Sequence, residues 1–142
     1  MQRLLTGIDA EGHSCVIARE IPEPMVNIPG ILLLDKLVET IAPPPERPAG
    51  NSDHFDIGVS PGAIRWTVIE FESGLDLPMH CTDTIDFNTI ISGSIAMILD
   101  DGVHELNVGD SVAMMGVDHA WRTGQDSCQM SVVSLGTPPP TH

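Results

Sequence analysis

Short apolar segments, separated by glycine, proline and acidic turns, run along most of the chain. The clearest are residues 64–71 (IRWTVIEF), 84–92 (TIDFNTIIS), 94–99 (SIAMIL) and 128–135 (CQMSVVSL). Segments of this length that are rich in β-branched and aliphatic residues are typical of strands. With 13 glycines and 12 prolines, the sequence offers few windows for a long helix. The pattern therefore predicts an all-β fold.

Turn signals connect pairs of these segments. Residues 4–8 and 14–18 flank Asp-Ala-Glu-Gly, and residues 94–99 and 103–108 flank Asp-Asp-Gly. A short turn with glycine between two apolar segments is typical of a β-hairpin. Evenly spaced short strands joined by tight turns indicate a sandwich or a barrel.

The length of 142 residues fits one domain with its own core. We divide it into an N-terminal part of about residues 1–63, a barrel of about residues 64–135 and a flexible tail at 136–142. The first part holds one hairpin, a segment at 30–40 for which its neighbours favour a strand, and a proline-rich stretch at 42–61. That stretch is expected to be a surface loop, with a mobile flap or a partner-facing arm as alternatives.

The chain is strongly acidic. Its 20 Asp and Glu residues against 6 Lys and Arg residues give a net charge of −14. Such a charge repels phosphate backbones and anionic lipids, so we expect neither a nucleic-acid nor a membrane partner. The longest apolar runs, at 31–34 and 95–99, are also far shorter than the ~20 residues of a membrane span.

Three cysteines, Cys15, Cys81 and Cys128, occur without a CxxC pair. This odd number does not indicate a disulfide framework or a knuckle-type zinc site, and it fits a reducing compartment. The first ten residues lack the apolar core of a signal peptide. We therefore expect a cytoplasmic protein.

A spaced set of polar residues and glycines lies in the second half of the chain. Gly74 is followed after five residues by His80, and Thr82 comes two residues later; Asp86 and Gly93 complete the set. This spacing resembles the first motif of the cupin family, which has a Gly, His-x-His, a Glu and a second Gly. Thr82 stands where the family usually has its second His, and Asp86 stands where it has Glu.

A second resemblance to the same family follows. Gly109 and Asp110 lead through Met115 and Gly116 to His119, as in the second cupin motif, with Met115 in place of the usual Pro. The resemblance implies a single double-stranded β-helix, a jelly-roll barrel of the cupin type. It also implies a small-molecule ligand inside the barrel and a homodimer formed through strands at the sheet edge.

The resemblance implies metal ligands at His80, Asp86 and His119. Strand alternation agrees, because residues two apart share a face and place His80, Thr82 and Asp86 together if the strand is continuous. Two imidazoles and a carboxylate suit Fe(II), with Mn, Ni or Zn as alternatives. Asp is shorter than Glu and Thr is a poor ligand, so a metal-free site is the competing hypothesis.

Without a metal, His80 and His119 are candidates for catalytic proton transfer, with Asp86 as their carboxylate partner. Arg65 and Arg122 are rare cations that either bind a substrate carboxylate or form surface ion pairs. The further candidates for lining the pocket are Trp66, Thr82, Met97 and Trp121.

These features predict a small enzyme that acts on an organic molecule in the barrel with the help of a divalent metal. Lyase, isomerase, decarboxylase and dioxygenase reactions all occur among cupins, and the fold does not choose among them. One alternative is a non-catalytic module that binds or senses a small molecule. The other is a metal-free, histidine-based dehydratase or isomerase, whose activity would survive chelation.

Overall fold

The computed structural model describes residues 1–33 and 50–140. Their regular structure is β-strand, arranged as two larger sheets and one short hairpin. The first sheet has six strands, in the spatial order β2 (Ser14–Glu20), β1 (Arg3–Ile8), β11 (Ser111–Met114), β8 (Thr84–Ser92), β13 (Cys128–Gly136) and β6 (Ile64–Phe71). The second has five, in the order β10 (Gly102–Asn107), β9 (Ser94–Leu99), β12 (His119–Arg122), β7 (Asp76–Cys81) and β5 (Asp53–His54). The hairpin consists of β3 (Met25–Ile28) and β4 (Ile31–Leu33).

The predicted all-β fold is confirmed, and so are its clearest strands. Residues 64–71, 84–92 and 94–99 coincide with β6, β8 and β9. Both predicted hairpins form, since β1 pairs antiparallel with β2 and β9 pairs antiparallel with β10. Strand β4 lies in the segment predicted at 30–40. The rest of that segment, like residues 42–49 of the proline-rich stretch, lies outside the described residues.

The two sheets pack face to face around one apolar core. Both contribute fully buried side chains: Leu4, Val112 and Met130 come from the six-stranded sheet, and Ile95, Met97 and Leu106 from the five-stranded sheet. Full burial of side chains of this size stabilises a fold by about 1.5–3 kcal/mol each. This core occupies part of the space between the sheets, and a cavity occupies another part.

The chain passes from one sheet to the other at Thr82 and Asp83. Strand β7 ends at Cys81 and pairs in the five-stranded sheet, whereas β8 begins at Thr84 and pairs in the six-stranded sheet. The condition that one strand runs from His80 to Asp86 is therefore not met, and the alternation argument does not apply to these residues. The two residues lie on facing walls of the barrel instead of sharing one face of a strand.

The C-terminal strand is longer than predicted, and the predicted tail at 136–142 begins too early. Gly136 is the last residue of β13, and a Cβ atom there would lie 2.0 Å from the carbonyl oxygen of Ser60, so only glycine fits this approach. Thr137 is fully buried, and its backbone N–H donates to the carbonyl of Asp83 at 2.9 Å. That the residues beyond Thr137 form a flexible tail stays a prediction.

The three cysteines Cys15, Cys81 and Cys128 form no disulfide bond. Cys81 is buried, and its Sγ lies 3.7 Å from the carbonyl oxygen of Ser52, which agrees with a packed thiol on the face opposite His80. In the described part of the chain, no helix is long and apolar enough to cross a membrane.

Candidate functional site

Two imidazoles lie side by side on the five-stranded wall. Strands β7 and β12 pair antiparallel in a register that puts His119 directly opposite His80. Their ring centroids are 4.3 Å apart, with an angle of 57° between the ring planes. Both residues are buried. Residues opposite each other on neighbouring strands project to the same face, which explains why residues 39 positions apart form one pair.

Backbone carbonyls fix the orientation of both rings. His80 Nδ1 lies 2.9 Å from the carbonyl oxygen of Pro78, and His119 Nδ1 lies 2.8 Å from that of Val117. A carbonyl oxygen only accepts, so each Nδ1 carries the hydrogen. In the neutral ring, Nε2 is then an acceptor with a free lone pair. Neither Nε2 atom has a hydrogen-bond partner among the described residues.

The electrostatic setting keeps His119 neutral. Burial and the neighbouring His80 lower the pKa of His119 to about 4, against weaker opposing effects of the Val117 carbonyl and Asp118. A buried imidazole loses its charged form first because water no longer solvates the cation. At neutral pH, His119 therefore presents an uncharged acceptor to the barrel interior.

Asp86 lies on the opposite wall, in β8. Its side chain is buried, and the Thr84 hydroxyl donates to its Oδ2 at 3.1 Å. Its Oδ1 has no hydrogen-bond partner among the described residues. Burial raises the pKa of Asp86, while the Ser134 and Thr84 hydroxyls, Arg65 and His80 oppose that shift. A carboxyl group in this state is a stronger base than an exposed one.

A polar row crosses the six-stranded wall. The register of β6, β13 and β8 places Arg65 opposite Ser134, and Ser134 opposite Asp86. All three side chains line the same cavity as the two imidazoles. Arg65 Nη1 donates to the carbonyl oxygen of Ile57 at 2.7 Å. The cavity thus has an imidazole pair on one wall and an Arg–Ser–Asp row on the other.

The cavity measures about 270 Å³, and apolar side chains form most of its remaining wall. They are Phe55, Ile57, Ile69, Phe71, Leu77, Met114, Trp121, Met130 and Val132. This combination of an apolar wall with a few convergent polar groups is the usual form of a small-molecule site.

Residues 50–61 of the proline-rich stretch form part of this site. The edge of the Phe55 ring faces His80, with centroids 5.1 Å apart at 72°. Asp118, at the start of β12, accepts hydrogen bonds from the backbone N–H groups of Asn51 at 2.8 Å and Ser52 at 3.4 Å. These contacts hold the described part of the stretch against the barrel. Most of residues 50–61 are nevertheless exposed, as expected of a surface loop, and Phe55 and Ile57 also line the cavity.

Comparison with known proteins supports the resemblance drawn from the motifs. No protein-family model matches the chain. The chain is 25% identical over 126 residues to the Cupin-domain-containing oxidoreductase fogC of Aspergillus ruber, covering 84% of this chain and 62% of that protein. It is 33% identical over 67 residues to Phomopsin biosynthesis cluster protein C' of Diaporthe leptostromiformis, covering 46% of this chain and 35% of that protein. The chain therefore spans less than two thirds of the length of these relatives.

Solved structures with similar folds include further cupins. A sugar phosphate isomerase from a cupin superfamily, from Silicibacter pomeroyi, aligns with a TM-score of 0.47 and 22% identity over 57% of this chain and 54% of that one. The pairing of strands into two facing sheets agrees with the jelly-roll barrel that the motif resemblance implies, and the chain is similar to a cupin-domain protein.

Five of the predicted site residues line the cavity: His80, Thr82, Asp86, His119 and Trp121. Two predicted pocket residues do not. Trp66 is 78% exposed on the outer face of β6, where its Nε1 donates to the Ser131 hydroxyl at 2.9 Å. Met97 is fully buried in the core beside the cavity.

The structure also separates the two arginines that the sequence left equivalent. Both are exposed, but Arg65 lines the cavity, whereas Arg122 pairs with Asp76 at 3.2 Å. Phe55 and Ile57 are cavity residues that sequence reasoning missed. They lie in an irregular stretch, and no periodic pattern there indicates which side chains point inward.

Cupin resemblance implies a divalent metal, and the described residues supply only part of a site for one. Both Nε2 atoms suit metal binding, since a carbonyl oxygen orients each ring through Nδ1. However, no three His, Cys, Asp or Glu side chains within residues 1–33 and 50–140 lie close enough to share an ion. Asp86 stands on the wall opposite the two imidazoles. The three ligands therefore do not converge here, and metal binding by His80, Asp86 and His119 stays a prediction.

Proposed function

We propose that this cupin is an enzyme that binds a small, hydroxyl-bearing organic molecule in its barrel and transfers protons without a metal. One observation carries the proposal. Three acceptor atoms, His80 Nε2, His119 Nε2 and Asp86 Oδ1, belong to residues that line one cavity and have no partner among the described residues. A buried acceptor without a partner costs about 1–3 kcal/mol, which a ligand hydroxyl would recover.

The chemistry of each wall suits proton transfer. Asp86 is a base strengthened by burial, and the neutral His119 offers a lone pair across the cavity. The group that removes a proton from a carbon of the ligand holds it and returns it, to a neighbouring carbon in an isomerisation or to the departing hydroxyl in a dehydration. The apolar wall, which includes Phe55 and Trp121, excludes water from the bound molecule.

Hydrogen–deuterium exchange tests this proposal before the product is known. Small hydroxyl-bearing compounds are first screened for thermal stabilisation of the protein, since a ligand at 100 times its Kd adds about 2.7 kcal/mol. The binders are then incubated with protein in D2O, with and without EDTA, and their deuterium content is measured by mass spectrometry. We expect exchange that survives chelation and falls about 10²–10⁴-fold in His80→Gln and His119→Gln.

The matched control is His104→Gln. His104 lies outside the cavity, with Nε2 at 2.6 Å from Asp101 Oδ1, so its replacement should leave exchange unchanged. Exchange that continues in both site variants would overturn the proposal. Binding without exchange of any hydrogen would favour the non-catalytic binding module instead.

A metal-assisted reaction is the second candidate, favoured by the two carbonyl-oriented imidazoles of His80 and His119. Elemental analysis of untagged protein, measured beside His119→Gln, distinguishes it from the first. Near-stoichiometric Fe, Mn, Ni or Zn that the variant loses, together with exchange abolished by EDTA, would support this candidate.

We also propose that two copies of the chain pair through β6. Within the described residues, β6 is the last strand of its sheet, and Ile64, Trp66 and Val68 are exposed on its outer face. A second copy would offer an edge of equal length and character. Sedimentation equilibrium should give a dimer for wild type and for the control Ile17→Glu, and a monomer for Trp66→Glu. A monomeric wild type would contradict the proposal.

A further inference from the structure

Arg65 holds an unusual position for a cation in this acidic chain. It is solvent-exposed on β6 and lines the cavity, and the hydrogen bond from Nη1 to the Ile57 carbonyl uses one of its donors. A guanidinium group has five N–H donors, so most remain available. No carboxylate among the described residues lies within ion-pair distance of Arg65. The Arg65 guanidinium is therefore oriented by the protein and still has donors for a ligand.

The other described arginines differ from Arg65 in both respects. Arg3 pairs with Glu20, and Arg122 pairs with Asp76. The Arg19 guanidinium donates to Gln2 Oε1 at 2.5 Å and lies 3.3 Å from His104 Nδ1. None of these three lines the cavity. Arg65 thus combines a place in the site with donors that the described protein leaves unused.

We propose that Arg65 binds a carboxylate of the ligand, so that the substrate class is a small hydroxy acid. This inference rests on the proposed function, because it assumes that the ligand's hydroxyl reaches the acceptors Asp86, His80 and His119. Arg65 and Asp86 lie on strands that are separated by two strand spacings, which is about 10 Å measured across the sheet. The carboxylate end and the hydroxyl end of one small molecule can therefore be held at the same time.

Charge explains why a single arginine would decide specificity. The chain carries a net charge of −14, which repels an anion everywhere except near a local cation. A planar guanidinium forms two parallel hydrogen bonds to a carboxylate, and such charge-assisted bonds are about twice as strong as neutral ones. A primary amide of the same shape keeps the hydroxyl and loses the charge. The amide should therefore bind this site more weakly.

Matched pairs of hydroxy acids and their amides test the proposal. The probes are mandelate with mandelamide and 3-hydroxybutyrate with 3-hydroxybutanamide, and Kd is measured by isothermal titration calorimetry. Wild type should prefer the acid over its amide by roughly tenfold to a hundredfold in at least one pair. Arg65→Gln should remove that preference, and the surface control Arg122→Gln should retain it.

Three outcomes would overturn the proposal: equal binding of acids and amides by wild type, a preference that survives Arg65→Gln, and no binding of any probe. Should Arg65→Gln fail to fold, Arg65→Lys replaces it, because lysine keeps the charge without the bidentate geometry. The preference of Arg65→Lys for acids over amides should lie between the preference of wild type and equal binding of the two. If acids and amides bind equally and exchange still requires His119, the Arg65 proposal fails while the proposed function stands.

Discussion

The two walls of the cavity hold their polar groups in different ways. On the five-stranded wall, a carbonyl two residues earlier in the same chain segment orients each imidazole, so that the donor side of each ring is already satisfied. On the six-stranded wall, Thr84 holds one oxygen of Asp86 and leaves the other without a partner among the described residues. The first wall is therefore preorganised, and the second keeps an unsatisfied group that favours a ligand.

This difference has an energetic meaning. Imidazoles fixed by local hydrogen bonds lose little conformational freedom when a ligand binds. A buried carboxylate with an unpaired oxygen destabilises the folded protein until a ligand donates to it. Groups of this kind are retained at functional sites at a cost to stability. Removing a group from each wall should therefore change stability in opposite directions.

The largest expected effect on stability concerns the pH response of the imidazole wall. Unfolded His119 binds a proton below about pH 6.5, whereas in the folded protein its pKa is about 4. Between these values the unfolded state binds more protons, so stability is complete above about pH 6.5 and falls as the pH drops towards 4. The loss amounts to ~3 kcal/mol.

Urea unfolding at pH 7.5 and pH 4.5 measures this loss. Wild type should lose ~3 kcal/mol more than His119→Gln over this interval. The opposing titration of Asp86 is present in both proteins and largely cancels in the comparison. Equal pH dependence of wild type and variant would show that folding does not change the pKa of His119. The claim that burial keeps His119 neutral would then be wrong.

On the six-stranded wall, the titration of Asp86 is expected to change stability by a smaller amount and in the opposite direction with pH. The pKa of Asp86 is raised in the folded state, so its favourable contribution exists below the unfolded pKa and is lost as the pH rises. Asp86→Asn keeps an acceptor for Thr84 and removes the desolvated charge. At pH 7 this variant should be more stable than wild type by roughly 1 kcal/mol, and its exchange activity should fall.

Chemical unfolding of Asp86→Asn beside the exposed control Asp126→Asn checks this expectation. The control should stay within about 0.5 kcal/mol of wild type. A marked loss of stability in Asp86→Asn would mean that the carboxylate is paired in the native protein. The contrast between the two walls would then disappear.

Local signals in the sequence were sufficient to predict the longer strands and two hairpins, but not the β3–β4 hairpin or the short strand β5. The corner at Thr82 and Asp83 was not predictable, because alternation continues through it without a glycine or proline. His80 and Asp86 line one cavity because they face each other across the barrel, and not because they share one strand face.

Edge strand β6 shows a second limit of sequence patterns. Trp66 was predicted to line the pocket, but both Trp66 and Arg65 are exposed and only Arg65 lines the cavity. On an edge strand both faces carry apolar residues, so periodicity does not determine which face is inside. Phe55 escaped prediction because its position depends on hydrogen bonds between Asp118 and a segment 66 or 67 residues earlier.

The central claim is that the facing acceptors of this barrel move protons on a small ligand without a metal. Deuterium incorporation into a bound hydroxyl compound, measured with EDTA for wild type and His119→Gln, tests it most directly. The account predicts incorporation by wild type that chelation does not reduce, and a fall of about 10²–10⁴-fold in the variant. Incorporation that EDTA abolishes, or that His119→Gln leaves unchanged, would contradict the claim.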